Sequence, residues 1–434
     1  MFAIEKLSAL EILDSRGRPT VRATCQLKDG ILGTASVPSG ASTGKAEARE
    51  LRDGDPGRYR GLGCRNAVRH VNETLHRALK GRSYANQAEL DHAMNDLDGT
   101  SDKLRLGANA ILSISLAFAR AAANQSCKPL YQHFAEMLGE PLRTLPRPTI
   151  NLFSGGKHAG GQSPLQDILV VPAAARTIDE ALSQTFSVYQ NAIGLTAKKY
   201  GARALVADEG GLAPPFASAQ AMLDDAAEAI RHAGFEPGKD VALAVDAASS
   251  HFYSGGLYHL GNESLDATGM IQRLGEWVEQ YLIVSLEDGL SEDDWDNWPK
   301  LRQQLAGRCL TVGDDLLCTN PERIRRAIET RAADTLLLKV NQIGTLTEAL
   351  EAYRLARSAG WRVTISARSG ETEDDWLADL AVGWRGDQIK IGSITRSERL
   401  SKYNRLLEIE AETHLPVLNW PRSHNPVARR AASD

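Results

Sequence analysis

Acidic side chains stand at the ends of several short apolar runs in the later part of this sequence. The run "VALAVD" ends at Asp246, "LIVSLED" ends at Glu287 and Asp288, and "LTVGDD" ends at Asp314 and Asp315. If these runs are parallel strands of one barrel, their carboxyl ends meet at one mouth. Carboxylates crowded there repel one another unless cations lie between them. Hard oxygen ligands without histidine or cysteine suit Mg²⁺.

A lysine occupies a similar position in "TLLLKVNQIG", where Lys339 follows three leucines. An ammonium group is rarely buried without a partner, because the loss of water is costly. Carboxylates and a metal at the barrel mouth would provide that partner. Desolvation and a nearby cation lower the pKa of a lysine and carboxylates raise it, so a lysine tuned toward neutrality could accept a proton. The alternative is that each of these charges only faces water at a strand end.

The spacing of the apolar runs predicts an α/β barrel. Eight short runs occur, and most are separated by a segment long enough for a helix. A doubly wound open sheet is the alternative, but no glycine fingerprint follows the first run to support it. The eight runs are "DILVVP", "ARALVAD", "VALAVD", "LIVSLED", "LTVGDD", "TLLLKV", "RVTIS" and "QIKIG".

The first third of the chain has a different pattern. The segments 20–27 and 31–37 alternate in polarity around the turn "KDG", which predicts a β-hairpin. Helical patterns follow at about 64–80, 86–97 and 107–123. Strands before helices indicate a small α+β domain, and the prolines of 139–148 mark its boundary. We therefore expect an N-terminal α+β domain over residues 1–138 and a C-terminal α/β barrel over residues 139–434.

The bulk composition is that of an ordinary globular protein that binds neither nucleic acid nor membranes. The 434 residues carry a net charge of −5 with both signs mixed, and they form no basic patch. The most apolar window, 108–123, is too short and too polar to span a bilayer. The N-terminus lacks the pattern of a signal peptide. Five scattered cysteines without a CxxC pair are typical of reduced thiols, so we expect a cytoplasmic protein.

Longer motifs run through the chain almost from end to end. The N-terminal part carries "DSRGRPTV", "VPSGASTG", "ELRDGD" and "LGANAILSISLA". The later part carries "SGGKHAGG", "DEGGLAP", "SLEDGLSEDDW", "GDDLLCTNP", "LLLKVNQIGTLTEA" and "QIKIGSITRSER". Together these motifs resemble the enolase family. The resemblance implies the enolase-type fold, a (β/α)8-like barrel with an N-terminal α+β domain.

The resemblance also implies a reaction. Enolases remove the C2 proton of 2-phosphoglycerate and expel the C3 hydroxyl as water, giving phosphoenolpyruvate with the help of two Mg²⁺ ions. Lys339 matches the general base and Glu209 the acid that protonates the leaving hydroxyl. The residues that match Mg²⁺ ligands are Asp246, Glu287 and Asp314 for the first ion and Ser39 for the second. The residues that match substrate contacts are Gln166, His158, Arg368, Ser369 and Lys390.

Three positions depart from the family pattern. Ala367 stands where the family has a histidine beside the phosphate-binding arginine, and Asp167 stands where it has a catalytic glutamate. Ile391 replaces the usual threonine. Loss of the imidazole leaves room beside the substrate, and Asp167 withdraws a carboxylate by about one methylene, a displacement that can cost orders of magnitude in rate.

These departures leave three hypotheses about function. The first is a working enolase in which water fills the space at Ala367. The second is a paralogue that accepts an altered substrate, such as the carboxyphosphonoenolpyruvate synthase of phosphonate biosynthesis. The third is a non-catalytic binding protein on an enolase scaffold, which the retained base and metal ligands disfavour. Under the first two, the partners are a small phosphorylated three-carbon acid and a second copy of the chain in a homodimer or a higher homo-oligomer.

Overall fold

The computed structural model describes residues 1–41, 43–161, 163, 165–201 and 205–421. Its N-terminal part contains an antiparallel sheet of four strands in the order β3-β2-β1-β4. The strands are β1 (Phe2–Leu13), β2 (Pro19–Leu27), β3 (Leu32–Ser36) and β4 (Ser83–Tyr84). The hairpin predicted from 20–37 is confirmed as β2 and β3. Sequence analysis missed β1 because only Ile4 and Leu7 of its twelve residues are fully buried.

The helices of this part confirm the three helical patterns. They are α1 (Arg65–Arg69), continued by a π-helical stretch (His70–Leu75) into α2 (His76–Leu79), then α3 (Gln87–Asp98), α4 (Ala108–Gln125) and α5 (Leu130–Leu138). Helix α4 is buried along nearly its whole length and packs on β2 and β3. Gly33 permits this close packing, because a Cβ at that position would lie 2.1 Å from the carbonyl oxygen of Ala117.

A closed barrel of eight strands forms the rest of the fold, in the order β5-β6-β7-β11-β12-β13-β14-β15. Strand β6 runs antiparallel to both neighbours, whereas the other adjacent pairs are parallel. The barrel strands are β5 (Arg147–Ser154), β6 (Asp167–Val171), β7 (Ala242–Asp246), β11 (Ile283–Glu287), β12 (Leu310–Gly313), β13 (Thr335–Leu338), β14 (Arg362–Ser366) and β15 (Gln388–Gly392). A separate antiparallel sheet comprises β8 (Tyr253–Ser254), β9 (Leu257–Leu260) and β10 (Glu263–Leu265).

Seven of the eight predicted strands are present, and one prediction is wrong. The predicted run 202–208 is described only from residue 205 onward, since residues 202–204 lie outside the described residues. Its described part is not a barrel strand, because Val206 makes only an isolated bridge to Leu212. Its place is taken by β5, whose eight residues are all buried. The prolines around β5 suggested a linker, but Pro148 lies near the start of the strand, where a missing N–H is tolerated.

Five of the helices described around the barrel start where a side chain caps free N–H groups. Thr177, Ser218, Asp266, Asn320 and Thr345 each accept a hydrogen bond from a backbone N–H in the first turn. The barrel helices, capped and uncapped, are α6 (Ile178–Tyr200), α7 (Ala219–His232), α8 (Ala267–Tyr281), α9 (Trp298–Leu305), α10 (Pro321–Thr330), α11 (Val340–Ile343), α12 (Leu346–Ser358), α13 (Trp376–Gly383) and α14 (Ser397–Thr413). Across the described residues, none of the helices is both long and apolar enough to cross a bilayer.

The two parts of the chain contact each other through buried polar groups. Asp91 on α3 accepts hydrogen bonds from the backbone N–H of Thr347 at 3.0 Å and from its hydroxyl at 2.6 Å, at the start of α12. Gln87 donates to the other carboxylate oxygen of Asp91 at 3.0 Å. Burial nevertheless raises the pKa of Asp91 to about 6, because desolvation of the ionised form outweighs these hydrogen bonds.

The raised pKa of Asp91 gives stability a pH dependence. The folded state holds a proton on Asp91 that the unfolded chain releases near pH 4, so this contribution to stability is present below pH 4 and is lost as the pH rises through 6. Asp91→Asn does not titrate. Between pH 4 and pH 7 we therefore expect the free energy of unfolding to shift in favour of the variant by about 2 kcal/mol relative to wild type. Urea denaturation at both pH values measures this shift, and a difference that is the same at both would contradict it.

Candidate active site

A pocket with about 410 Å³ of free space lies at the mouth of the barrel, where the parallel strands end. Ten of the thirteen predicted site residues line it, so the structure brings most of the predicted set together. They are His158, Gln166, Glu209, Asp246, Asp314, Lys339, Ala367, Arg368, Ser369 and Lys390. The predicted residues outside this lining are Ser39, Asp167 and Glu287.

The three carboxylates predicted to bind metal come from neighbouring strands. Asp246 ends β7, Glu287 ends β11 directly opposite it, and Asp314 follows β12. All three are buried. The ammonium group of Lys390 on β15 donates to Asp246 Oδ2 at 2.8 Å and to Glu287 Oε2 at 2.7 Å. One cation from the opposite side of the barrel thus holds two of these acids together.

The carboxylates of this group differ in how readily they ionise. Burial, and next the charge of Asp246, raise the pKa of Glu287 well above its ordinary value. For Asp246, burial opposes ionisation, but Lys390 outweighs it and lowers the pKa to about 2. Glu287 is therefore the carboxylate whose ionisation gains most from a further positive charge. Buried carboxylate oxygens are donors of the kind that a hard divalent cation prefers. Among the described residues, however, the group within 4.8 Å that includes Asp314 is formed with Asp288 and Asp315, not with Asp246 and Glu287.

A second acidic cluster adjoins the first. Asp288, Asp314 and Asp315 are buried, and each offers an oxygen within 4.8 Å of the others. Asp288 accepts hydrogen bonds from the backbone N–H groups of Asp314 at 3.0 Å and of Asp315 at 2.7 Å. Burial, followed by the charge of Asp314, raises the pKa of Asp315 to about 7. Asp288 therefore fixes the backbone that carries Asp314.

Lys339 lies in the pocket with its charge paired. Its Nζ is 2.5 Å from Asp314 Oδ2, and Gln342 Nε2 donates to the other oxygen of Asp314 at 2.8 Å. Burial favours the neutral amine, but Asp314 outweighs it and raises the pKa of Lys339 above the ordinary value. The expectation that burial tunes Lys339 toward neutrality is therefore wrong for the protein groups alone. The position of Lys339 is as predicted, since it follows β13 directly.

Glu209 and His158 face each other across one side of the pocket. His158 Nε2 is 3.7 Å from Glu209 Oε1, and Asn151 Nδ2 donates to Glu209 Oε2 at 3.1 Å. Burial opposes protonation of His158, but Asp167 and Glu209 outweigh it and raise the pKa of the imidazole to about 9. The lid histidine predicted to face the substrate does line the pocket. Gln166 also lies there, donating to Asp246 Oδ2 at 3.2 Å.

Asp167 lies close to the pocket but does not line it. It is fully buried and absent from the pocket lining. Its Oδ1 accepts from the hydroxyl of Ser154 at 2.5 Å, and its Oδ2 lies 3.0 Å from His158 Nδ1. Asp167 thus lies behind His158 and outside the pocket lining.

The predicted phosphate-binding arginine is engaged by the N-terminal loop. Arg368 contacts the carboxylate of Glu47 through both terminal nitrogens, at 3.0 and 3.2 Å, and donates to Asn341 Oδ1 at 3.1 Å. The N–H of Ala48 donates to the carbonyl of Gln342 at 2.8 Å, which holds the same loop over the barrel mouth. The loop that carries Glu47 therefore covers the Arg368 side of the pocket.

The two predicted serines lie at the edge where this loop meets the barrel. Ser39 exchanges backbone hydrogen bonds with Gly370, and its hydroxyl donates to Glu50 at 2.9 Å and accepts from Arg52 at 2.8 Å. Ser369 accepts from the N–H of Ala41 at 2.7 Å. The hydroxyl of Ser39 is thus engaged with its own loop, and the structure does not bring it to the carboxylates of Asp246, Glu287 and Asp314.

Ala367 lines the pocket between Ser366 and Arg368. Its backbone N–H donates to the carbonyl of Lys390 at 2.8 Å, which fixes it in the barrel mouth. Its methyl group offers the pocket neither a hydrogen-bond donor nor an acceptor. Ala367 is therefore an apolar part of the pocket lining.

Several neighbours of the pocket were not among the predicted site residues. Gln342 and Asn341 follow Lys339 in the same motif, and Asp288 and Asp315 stand beside predicted ligands, so the sequence offered a local signal for each of them. Glu47 offered none, because its contact with Arg368 joins residues 321 positions apart.

Two family models match the chain. One, described as the C-terminal TIM barrel domain of enolase, matches residues 142–416. The other, described as the N-terminal domain of enolase, matches residues 4–134.

Proposed function

The chain belongs to the enolase family, and from this premise we propose that it is a Mg²⁺-dependent lyase that converts 2-phosphoglycerate into phosphoenolpyruvate. The proposal specifies a carbon–oxygen lyase that first removes the C2 proton and then eliminates the C3 hydroxyl as water. One observation carries it: a candidate base, Lys339, and a candidate acid, Glu209, line one pocket together with Asp246 and Asp314.

Each side chain of the pocket would have its own role in this reaction, set by its position. Lys339 would accept the C2 proton in its neutral form, which requires a further positive charge to offset the pairing with Asp314 that raises its pKa. The contact with Asp314 holds the Nζ in the pocket. Glu209 would donate a proton to the departing hydroxyl, and Asn151 holds one of its carboxylate oxygens. Arg368 and Ser369 would bind the phosphate, and loop contacts from Glu47 cover this side against water.

Asp246, Glu287 and Asp314 would hold Mg²⁺, because buried carboxylate oxygens are donors that this ion prefers. When bound there, Mg²⁺ would supply positive charge for the dianionic carboxylate that forms on loss of the C2 proton. Lys390, paired with Asp246 and Glu287, adds a fixed positive charge on the same side of the pocket. The Ser39 hydroxyl would have to exchange its partners Glu50 and Arg52 to ligate a second ion.

A second candidate function is favoured by Ala367 and Asp167. The methyl group of Ala367 leaves space beside Arg368, and Asp167 does not contact the pocket. Both features suit a paralogue whose substrate is bulkier near the phosphate, such as a carboxyphosphonoenolpyruvate synthase. A non-catalytic scaffold is less favoured, because the charged groups that catalysis needs are assembled in one pocket. For either enzyme we propose a homodimer or a higher homo-oligomer.

Phosphoenolpyruvate formation from 2-phosphoglycerate with Mg²⁺ tests these alternatives. We expect turnover by the wild-type chain, measured as the rise of enol absorbance. Negligible turnover that Ala367→His restores by at least about 100-fold would instead support the paralogue, since ångström-scale changes in positioning cost this much. Absence of both turnover and Mg²⁺ binding, measured by calorimetry, would support the scaffold.

A further inference from the structure

Asp167 stands at a junction of three strands. Because β6 runs antiparallel to its neighbours, its first residue rather than its last lies at the barrel mouth. Asp167 is paired in register with Ser154, the last residue of β5, and with Asp246, the last residue of β7. This reversal places the Asp167 carboxylate beside the short helical turn Gly156–Ala159 that carries His158.

The turn that carries His158 is packed tightly against the segment before β6. A Cβ at Gly155 would lie 2.4 Å from the carbonyl oxygen of Leu165. Gly156 has a φ of +48° and lies against Gln166, where a Cβ would come within 3.2 Å of its Cα. The backbone of His158 is therefore held in place, and the rotation of its ring is the remaining freedom.

Hydrogen bonds at the back of the ring remove that freedom. His158 Nδ1 lies 3.0 Å from Asp167 Oδ2, and the other oxygen of Asp167 accepts from Ser154 at 2.5 Å. The front of the ring faces the pocket, with Nε2 3.7 Å from Glu209 Oε1. When the Asp167 carboxylate is ionised it can only accept, and Nδ1 is then the donor in this contact.

We infer that Asp167 is a positioning residue: together with Ser154 it clamps the ring of His158 so that Nε2 points at Glu209 and the pocket. This inference deepens the proposed function and rests on it for the role of Glu209. It assigns a purpose to the aspartate that departs from the family pattern. Asp167→Glu moves the carboxylate outward by one methylene, away from its contacts with Ser154 and His158, so it should displace the ring rather than restore activity.

A different use of the same atoms is a metal site, because His158, Asp167 and Glu209 each offer a ligand atom within 4.8 Å of the others. Nδ1 of His158 and both oxygens of Asp167 already have hydrogen-bond partners within the protein. We therefore favour the clamp, and the first experiment below also tests whether these atoms bind a metal instead.

The first experiment needs no substrate. In protein labelled with ¹⁵N-histidine, a proton bound to His158 Nδ1 and protected by Asp167 should give a downfield, slowly exchanging NMR resonance, assigned by its loss in His158→Asn. We expect its loss in Asp167→Ala and its retention in Asp225→Asn. Asp225 is a matched control, since it is buried, has two side-chain donors in Lys199 and Tyr200, and lies outside the pocket. Retention of the resonance in Asp167→Ala, or its loss when Mg²⁺ alone is added, would overturn the clamp.

The second experiment is a double-mutant cycle on turnover of 2-phosphoglycerate. We expect Asp167→Ala to lower kcat by about 100-fold while KM changes far less, because the ring is misplaced rather than binding lost. Asp167→Ala combined with His158→Ala should be no slower than His158→Ala alone, because Asp167 acts through the ring. If the double variant instead lost kcat by the product of the two separate losses, the inference would be overturned. If the wild-type chain does not turn over this substrate, the proposed function fails, and the NMR result still decides whether Asp167 clamps His158.

Discussion

Replacing Lys339 with methionine should lower kcat for 2-phosphoglycerate by about 10⁴-fold, the upper range for loss of a general base. Methionine keeps the length and apolar stem of the side chain, so it fills the space between β13 and the pocket. The removed amine is the group that would accept the C2 proton. The loss should appear mainly in kcat, because Arg368 and Ser369 remain available to bind the phosphate.

Isotope exchange locates the loss at the C2 step. In D₂O the wild-type enzyme should exchange the C2 hydrogen of 2-phosphoglycerate with solvent, and Lys339→Met should not. Glu209→Gln should keep exchange while losing elimination, since Glu209 acts only on the departing hydroxyl. Lys103→Met is the matched control, because Lys103 is also buried and paired with a carboxylate, Glu348, at 2.8 Å, but lies away from the pocket. Unchanged exchange in Lys339→Met would rule this lysine out as the base.

Replacing Glu287 with glutamine should weaken Mg²⁺ binding by at least about 100-fold, because loss of a direct ligand costs more than the 10- to 100-fold typical of an outer-shell group. Glutamine keeps the size of the side chain and one oxygen for Lys390. It removes the negative charge that Mg²⁺ would neutralise. Calorimetric titration with Mg²⁺ in the absence of substrate measures the change.

Turnover by Glu287→Gln should require a higher concentration of Mg²⁺ than turnover by the wild-type protein. Turnover at low Mg²⁺ should fall sharply and recover in part at high Mg²⁺, since Asp246 and Asp314 remain. Asp225→Asn serves as the control for loss of a buried carboxylate outside the site and should bind Mg²⁺ as wild type does. Equal affinity for Mg²⁺ in Glu287→Gln and wild type would remove Glu287 from the ligand set.

Features that depend on neighbouring residues were readable from the sequence. The two-residue period gave the β2–β3 hairpin, and the helical period gave the stretches that became α3 and α4. The ends of apolar runs identified Asp246 and Asp314, because a strand that is buried in a barrel must turn polar where it leaves the core. Motifs of six to fourteen residues indicated the family.

Features that depend on distant residues were decided by the tertiary structure. Whether β5 or the run at 202–208 closes the barrel is a question of pairing between strands, which periodicity does not report. The reversed direction of β6 moves Asp167 behind His158, so its role could not be read from the change of a glutamate to an aspartate. The contact of Glu47 with Arg368 likewise joins positions without any local signal.

The sequence alone thus determined which chemical groups this protein has and which strand ends carry them, because burial patterns and motifs depend on residues that are adjacent in the sequence. The tertiary structure decided their partners and their charge states. Lys390 pairs with Asp246 and Glu287, and Lys339 with Asp314, so the pKa of each amine is set by carboxylates that reach it from other strands. Electrostatic energy depends on distance through space, and the closed barrel is what brings these groups within a few ångströms.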